Sequence, residues 1–206
     1  MEQPSGVGAI VLAGGRSTRL GHDKALLRIN GQPLVEWLPA RLSCLLSPVV
    51  IVVDGPGRYQ TSLPQVPDVL PGTGPLGGVA SGLQALAASA ALVCACDMPL
   101  LQPDLIALLC ASLSGFDLVI PERDGRLEPL CAVYTRACLP AMQALLANRQ
   151  LRLNGMASAV RARIVTEGEW REVDPRGDSF LGINTLDELA TMRKRARGYG
   201  LELEAP

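Results

Sequence analysis

Leu12-Ala13-Gly14-Gly15-Arg16-Ser17-Thr18-Arg19-Leu20-Gly21-His22-Asp23-Lys24 begins at the last residue of the apolar run Val7 to Leu12. A β-branched, apolar run that stops abruptly at paired glycines reads as a buried strand feeding a tight turn. Glycines there let a ligand approach the backbone, whose bare N–H groups can face phosphate oxygens, and Arg19 and Lys24 add positive charge. The spacing is not that of the Gly-x-x-x-x-Gly-Lys-Ser/Thr loop, because Ala25 follows the lysine. It does not fit the Gly-x-Gly-x-x-Gly dinucleotide fingerprint either.

Working outward, strand and helix patterns alternate. Pro33 to Leu46 has helical apolar spacing, with Pro39 as a kink or a boundary. Pro48 to Val53 is a second buried strand, closed by Asp54-Gly55-Pro56-Gly57. The proline- and glycine-rich stretch Gln65 to Gly78 reads as a rigid or ligand-ordered loop, and the Ala-rich Val79 to Ser89 as a helix. Ala91 to Ala95 is a third strand, ending in Asp97-Met98-Pro99; Pro103 to Leu113 is a helix with proline in its first turn. Strands follow at Asp117 to Pro121, Glu128 to Tyr134 and Arg163 to Glu167, with a helix from Arg136 to Ala147. Phe180 to Ile183 then leads to Asn184-Thr185, which caps a helix through Arg197. This order predicts an α/β fold: a mostly parallel sheet with helices on both faces, in three layers. The length of 206 residues suits a single domain over 1–206, with residues 1–5 and 200–206 as loose tails.

Composition removes whole classes of function. The 19 basic and 20 acidic residues leave a net charge of -1, so no general basic field attracts nucleic acid or a membrane, and an anionic ligand must be held locally. With 3% aromatic residues there is no platform for stacking unpaired bases. The first apolar run is too short for a membrane span and lacks a secretory cleavage pattern, which predicts a cytoplasmic protein. The six cysteines lie in apolar segments without a Cys-x-x-Cys pair, and His22 is the one histidine, so neither a zinc site nor a disulfide framework is expected. Cys94 and Cys96, two apart on a strand, share a face and read as small buried hydrophobes.

Ligands of open parallel sheets sit at the carboxyl ends of the strands. There Leu12 to Lys24 resembles the L-A-G-G-x-x-x-R-(M/L)-G-x-D-K motif of a nucleotidyltransferase family, that of the molybdenum cofactor guanylyltransferases. Gly74-Pro75-Leu76-Gly77-Gly78 is similar to that family's second loop, and Cys96-Asp97-Met98-Pro99 to its C-D-x-P motif. Ile183-Asn184-Thr185 with Asp187-Glu188-Leu189 resembles its terminal N-x-N-T-P-(E/D)-(D/E)-L, with Gly182 and Leu186 as departures. The four matches stand in family order over residues 8 to 189.

The resemblance implies the Rossmann-like fold of the nucleotide-diphospho-sugar transferases and transfer of GMP from GTP to the terminal phosphate of molybdopterin. It assigns Lys24 and Arg19 to the triphosphate, Asp97 to Mg²⁺ and, by analogy, Asn184 to the same metal. Nucleotide contacts fall on Leu12, Ala13, Gly14, Gly15, Asp54, Asp68 and Gly78. Asp54 stands where the family has asparagine, and a carboxylate accepts but does not donate, so an amide donation is lost or inverted there. The residues suit this chemistry: a phosphate monoester is largely ionised at pH 7, so no side-chain base is required and His22 reads as a loop residue. Asp97 follows a buried strand ahead of the helix starting at Pro103, which favours a metal ligand over a helix cap.

Arg149 and Arg152, with Arg161 and Arg163, form either a basic rim for the acceptor phosphate or a solvated surface. Arg193, Lys194, Arg195 and Arg197 read as helix stabilisers at the C-terminal dipole end. Expected partners are GTP and the molybdopterin acceptor, with transient contact to cofactor-synthesis proteins or molybdoenzymes. The rival readings are a cytidylyltransferase of the same fold, whose relatives carry L-A-A-G in the first loop, and a non-catalytic cofactor-binding adaptor.

Overall fold

The computed structural model describes residues 6–14, 23–55 and 57–205. In chain order its first half holds β1 (Val7–Leu12), β2 (Arg28–Ile29), β3 (Gln32–Pro33), α1 (Leu34–Ser43), β4 (Val49–Val53), β5 (Gln65–Pro67), α2 (Gly74–Ala85) and β6 (Ala90–Ala95). Then come α3 (Pro103–Ala111), β7 (Leu118–Arg123), β8 (Arg126–Leu127), β9 (Cys131–Thr135), α4 (Leu139–Ala147), α5 (Met156–Ala159), β10 (Ala162–Val165), α6 (Glu167–Arg171), α7 (Leu186–Arg197) and β11 (Leu203–Glu204).

The main sheet runs β10-β7-β9-β6-β1-β4-β5, with β8 added as a hairpin on β7. β1 lies between β4 and β6 and is parallel to both, in register Ile10↔Val50 and Ile10↔Val93. β9 is the reversed strand, antiparallel to β6 and to β7. Alternate residues of β1 serve two cores. Ala9 and Val11 pack with Val35, Leu38 and Leu42 of α1, Leu105 and Leu109 of α3, and Trp170 of α6. Ile10 faces the other layer, with Leu76, Val79 and Leu83 of α2 and Met142 of α4. A strand covered on both faces has no polar face to show, which is why these strands read as unbroken apolar runs. Gly82 lets α2 lie directly on β1: a Cβ there would be 2.7 Å from Ile10 Cγ2.

Several expectations are corrected. Gln65 to Gly78 is not one loop: β5 pairs parallel with β4 and α2 begins at Gly74. Its prolines are compatible with both elements, Pro67 on an edge strand and Pro75 in a first helical turn, where a missing N–H breaks no ladder. Pro39 is no boundary, because α1 continues through it to Ser43. The strand expected at Arg163 to Glu167 is β10 at Ala162–Val165, since Thr166 caps α6 in a reciprocal capping box with Glu169. A three-ten turn at Asp178–Phe180 leads into the segment before Asn184.

Residues 200–205 are no loose tail. Leu203–Glu204 pairs antiparallel with Arg28–Ile29, and Leu203 joins a third core of Leu27, Ile29, Leu34, Ile183, Leu189 and Met192. The basic residues of α7 make particular ties in that region. Arg193 donates to the Leu203 carbonyl at 3.1 Å, and Arg195 with Arg176 flanks the fully buried Asp178. Residues 1–5 lie outside the described residues.

Candidate active site

The carboxyl ends of β1, β4 and β6 open on a cleft of about 730 Å³. Leu12, Gly14, Lys24, Asp54, Asp68, Gly72, Gly78 and Asp97 all line it, together with Pro71 and Leu130, which the sequence did not single out. Arg19, Gly15 and His22 lie outside the described residues. Ala13 is turned inward: its N–H donates to the Val52 carbonyl at 2.8 Å and its carbonyl accepts from the Tyr59 hydroxyl at 3.1 Å. The Ala13 N–H is thereby engaged, while its carbonyl oxygen keeps a second lone pair.

Asp97 leaves β6 in a tight turn, with the Met98 amide on the Ala95 carbonyl at 3.2 Å. The residue is only 4% exposed, and its carboxylate accepts from Lys24 Nζ through Oδ2. It caps no helix, because the residue that opens α3 is Gln102. Lys24 Nζ also donates to Asn184 Oδ1 at 3.0 Å. Thr185 accepts from the Glu188 amide at 3.2 Å while Glu188 accepts from the Asn184 amide at 2.7 Å, so the α7 capping box fixes Asn184 at the helix entrance. Three segments far apart in the chain therefore converge on one ammonium group.

Two hard oxygens, from Asp97 and Asn184, point at the same cation. That donor set fits Mg²⁺, which takes one or two protein oxygens and completes its shell with water and substrate phosphate. Among the described residues there is no group of three or more His, Cys, Asp or Glu that could hold a metal unaided. Gly182, the departure from the terminal motif, leaves room beside them, a Cβ there lying 3.6 Å from both Asp97 Oδ2 and Asn184 Nδ2.

On the other wall, Asp54 pairs with Arg58, which also donates to Asp23 Oδ2 at 2.8 Å. The carboxylate that replaces an amide at position 54 therefore comes with its own guanidinium. Burial pushes the Asp23 carboxyl up, but hydrogen bonds from Arg58, the Ala25 amide and Tyr59 outweigh it and leave Asp23 below the usual carboxylate range. Asp68 Oδ1 accepts from the Leu70 amide at 2.9 Å and lies 3.2 Å from the Ser81 hydroxyl. Cys94 and Cys96 are buried under the sheet end, and burial pushes both thiols well up, so they are packing groups and not nucleophiles at neutral pH.

The basic rim does not assemble as four residues. Arg161 is bound to Asp117 at 2.9 Å and Arg163 to Glu169, both on the far edge of the sheet. Arg149 and Arg152 are exposed after α4 and are not among the residues that line the cleft. Arg58 and Tyr59 went unnoticed in the sequence because nothing in their spacing signals a partner at Asp23, 35 and 36 residues away.

Residues 9–163 match the family described as the MobA-like NTP transferase domain. This chain belongs to that family. A MobA-like relative from Chloroflexus aggregans, named a probable molybdenum cofactor guanylyltransferase, is 38% identical over 188 residues, covering 87% of this chain and 90% of its own. Another of that name, from Pelotomaculum thermopropionicum, is 32% identical over 91% of this chain and 92% of its own. The fold is shared with molybdopterin-guanine dinucleotide biosynthesis protein A from Archaeoglobus fulgidus, with a TM-score of 0.80 at 24% identity over 93% of this chain and 99% of that one. The MobA-like match ends before Asn184, so the terminal motif adds an observation of its own. No helix among the described residues is long and apolar enough to cross a membrane.

Proposed function

We propose that this MobA-like protein transfers GMP from GTP to the terminal phosphate of molybdopterin, releasing pyrophosphate. The observation that carries the reading is the meeting of Lys24, Asp97 and Asn184 at the strand ends, over a cleft of nucleotide size. A phosphate oxygen of the acceptor attacks the α-phosphorus of GTP, and the bond from that phosphorus to the bridging oxygen of the β-phosphate breaks. The attacking monoester, with a second pKa of about 6, is mostly dianionic at pH 7 and needs no protein base. What remains for the protein is alignment and neutralisation of charge.

Lys24 supplies a point charge to the phosphates, with Arg19 as its companion. Asp97 and Asn184 hold Mg²⁺, which when bound neutralises charge on the phosphates. Leu12, Gly14 and Gly78 allow close approach, while Asp54 and Asp68 accept hydrogen bonds from the nucleoside. Arg149 and Arg152 offer charge to the acceptor phosphate. Residues 1–206 act as one nucleotidyltransferase domain in the cytoplasm, handing the product to molybdoenzymes in transient contact.

A panel of GTP, CTP, ATP and UTP with Mg²⁺ and purified molybdopterin tests the reading. Dinucleotide formed from GTP alone is the expected result. Turnover with CTP in its place overturns the choice of base, and failure to bind any nucleotide overturns the enzyme reading in favour of a cofactor-binding adaptor.

A further inference from the structure

We propose that Arg58 and Tyr59 are positioning residues of this site, which fix Lys24 through Asp23 and tie Asp23 to Ala13. The proposal rests on the reading of Lys24 above only for its link to nucleotide binding; the geometry stands by itself. Asp23 divides its oxygens between two tasks. Oδ1 accepts from the Ala25 amide at 3.1 Å and so starts the three-ten turn Lys24–Leu26 that carries the lysine. Oδ2 accepts from Arg58 at 2.8 Å and from the Tyr59 hydroxyl at 2.9 Å.

The same hydroxyl lies 3.1 Å from the Ala13 carbonyl, so one proton is shared between Ala13 and Asp23. Tyr59 is itself held from behind, because Gln65 of β5 exchanges two hydrogen bonds with its backbone, at 2.7 and 3.2 Å. The Arg58 guanidinium packs over the Tyr59 ring at 5.2 Å and bridges Asp23 to Asp54. Burial and the neighbouring Asp23 charge push the Tyr59 phenol well up, so it stays a donor throughout the working pH range. A continuous path thus runs from the edge strand through Tyr59 and Asp23 to the ammonium that meets Asp97 and Asn184. Without Arg58, two carboxylates lose the cation they share.

The chain holds two lysines, Lys24 and Lys194, and Lys194 is exposed on α7. Acetylation with acetic anhydride in the absence of ligand, read by peptide mass spectrometry, therefore contains its own reference. Tyr59→Phe should raise the Lys24 rate relative to Lys194 roughly fivefold, as expected for one lost hydrogen bond, and Arg58→Ala should raise it by more. Arg58→Lys should restore part of the protection. General loosening of the fold would raise both lysines together, and an unchanged ratio in Tyr59→Phe overturns the proposal.

Binding of Mg²⁺-GTP gives the second arm. Tyr59→Phe should weaken it in the native background and add nothing further once Lys24→Ala is present; equal losses in both backgrounds overturn the link through Lys24. If the lysine ratio moves while GTP does not bind, the positioning role stands and the guanylyl reading falls. If Arg58→Ala does not fold, Tyr59→Phe, which removes a single oxygen, decides alone.

Discussion

Two charged regions of this protein look alike as sequence and behave differently as structure. At the strand ends, Lys24 meets partners 73 and 160 residues away, and the Asp97 carboxylate is nearly closed off from water. On the far edge, Arg163 pairs six residues along the chain with Glu169, and Arg161, whose side chain is 72% exposed, pairs with Asp117. Charge brought from distant segments into a buried place is costly to maintain and marks a site. Charge paired in solvent contributes little and marks a surface.

Substitutions can break that contrast. Asp97→Ala should have the largest effect, lowering turnover on the order of a thousandfold while weakening nucleotide binding far less; steady-state kinetics beside a binding titration separate the two. Equal losses in both would make Asp97 a structural group. Lys24→Met should cost about a hundredfold in kcat/KM, read in the same assay. Arg149→Ala with Arg152→Ala should raise KM for the acceptor a few-fold and leave KM for GTP unchanged; a loss confined to GTP would place those arginines elsewhere.

At the bottom of the scale, Arg161→Ala should leave turnover and melting temperature as they are. Glu169→Gln tests the surface by pH. Hydrogen bonds from the Thr166 hydroxyl and amide, with Arg163, hold the Glu169 carboxyl down from 4.5 to about 2. A carboxyl held low in the folded chain stabilises it above pH 4.5, and that contribution is lost as pH falls through about 2. The variant should therefore melt slightly lower at neutral pH, with the gap closing between those two values.

How much of this was legible depended on the range of the interaction. β1, β4 and β6 were plain because burial on both faces removes polar residues from the sequence. Asp97, Lys24 and Asn184 were legible through motif order, and the structure brings the three together. Two hairpins carry their signal in the sequence: Asn30-Gly31 joins β2 to β3 and Asp124-Gly125 joins β7 to β8, all four residues at positive φ. Arg58 and Tyr59 had no such signal, because Asp23 selects them through space. The 65–78 stretch reads as loop from its prolines because a proline count says nothing of whether the missing N–H is needed there.

The pairing of Leu203–Glu204 with Arg28–Ile29 has a practical side. It brings Leu203 and Glu204 against the strand that follows the Lys24 turn, so an affinity tag or reporter fused directly after Glu204 pulls on the segment carrying Lys24. Kinetic constants taken from such a fusion would mix the enzyme's properties with those of its handle, and a long flexible spacer or cleavage of the tag before assay avoids the confusion.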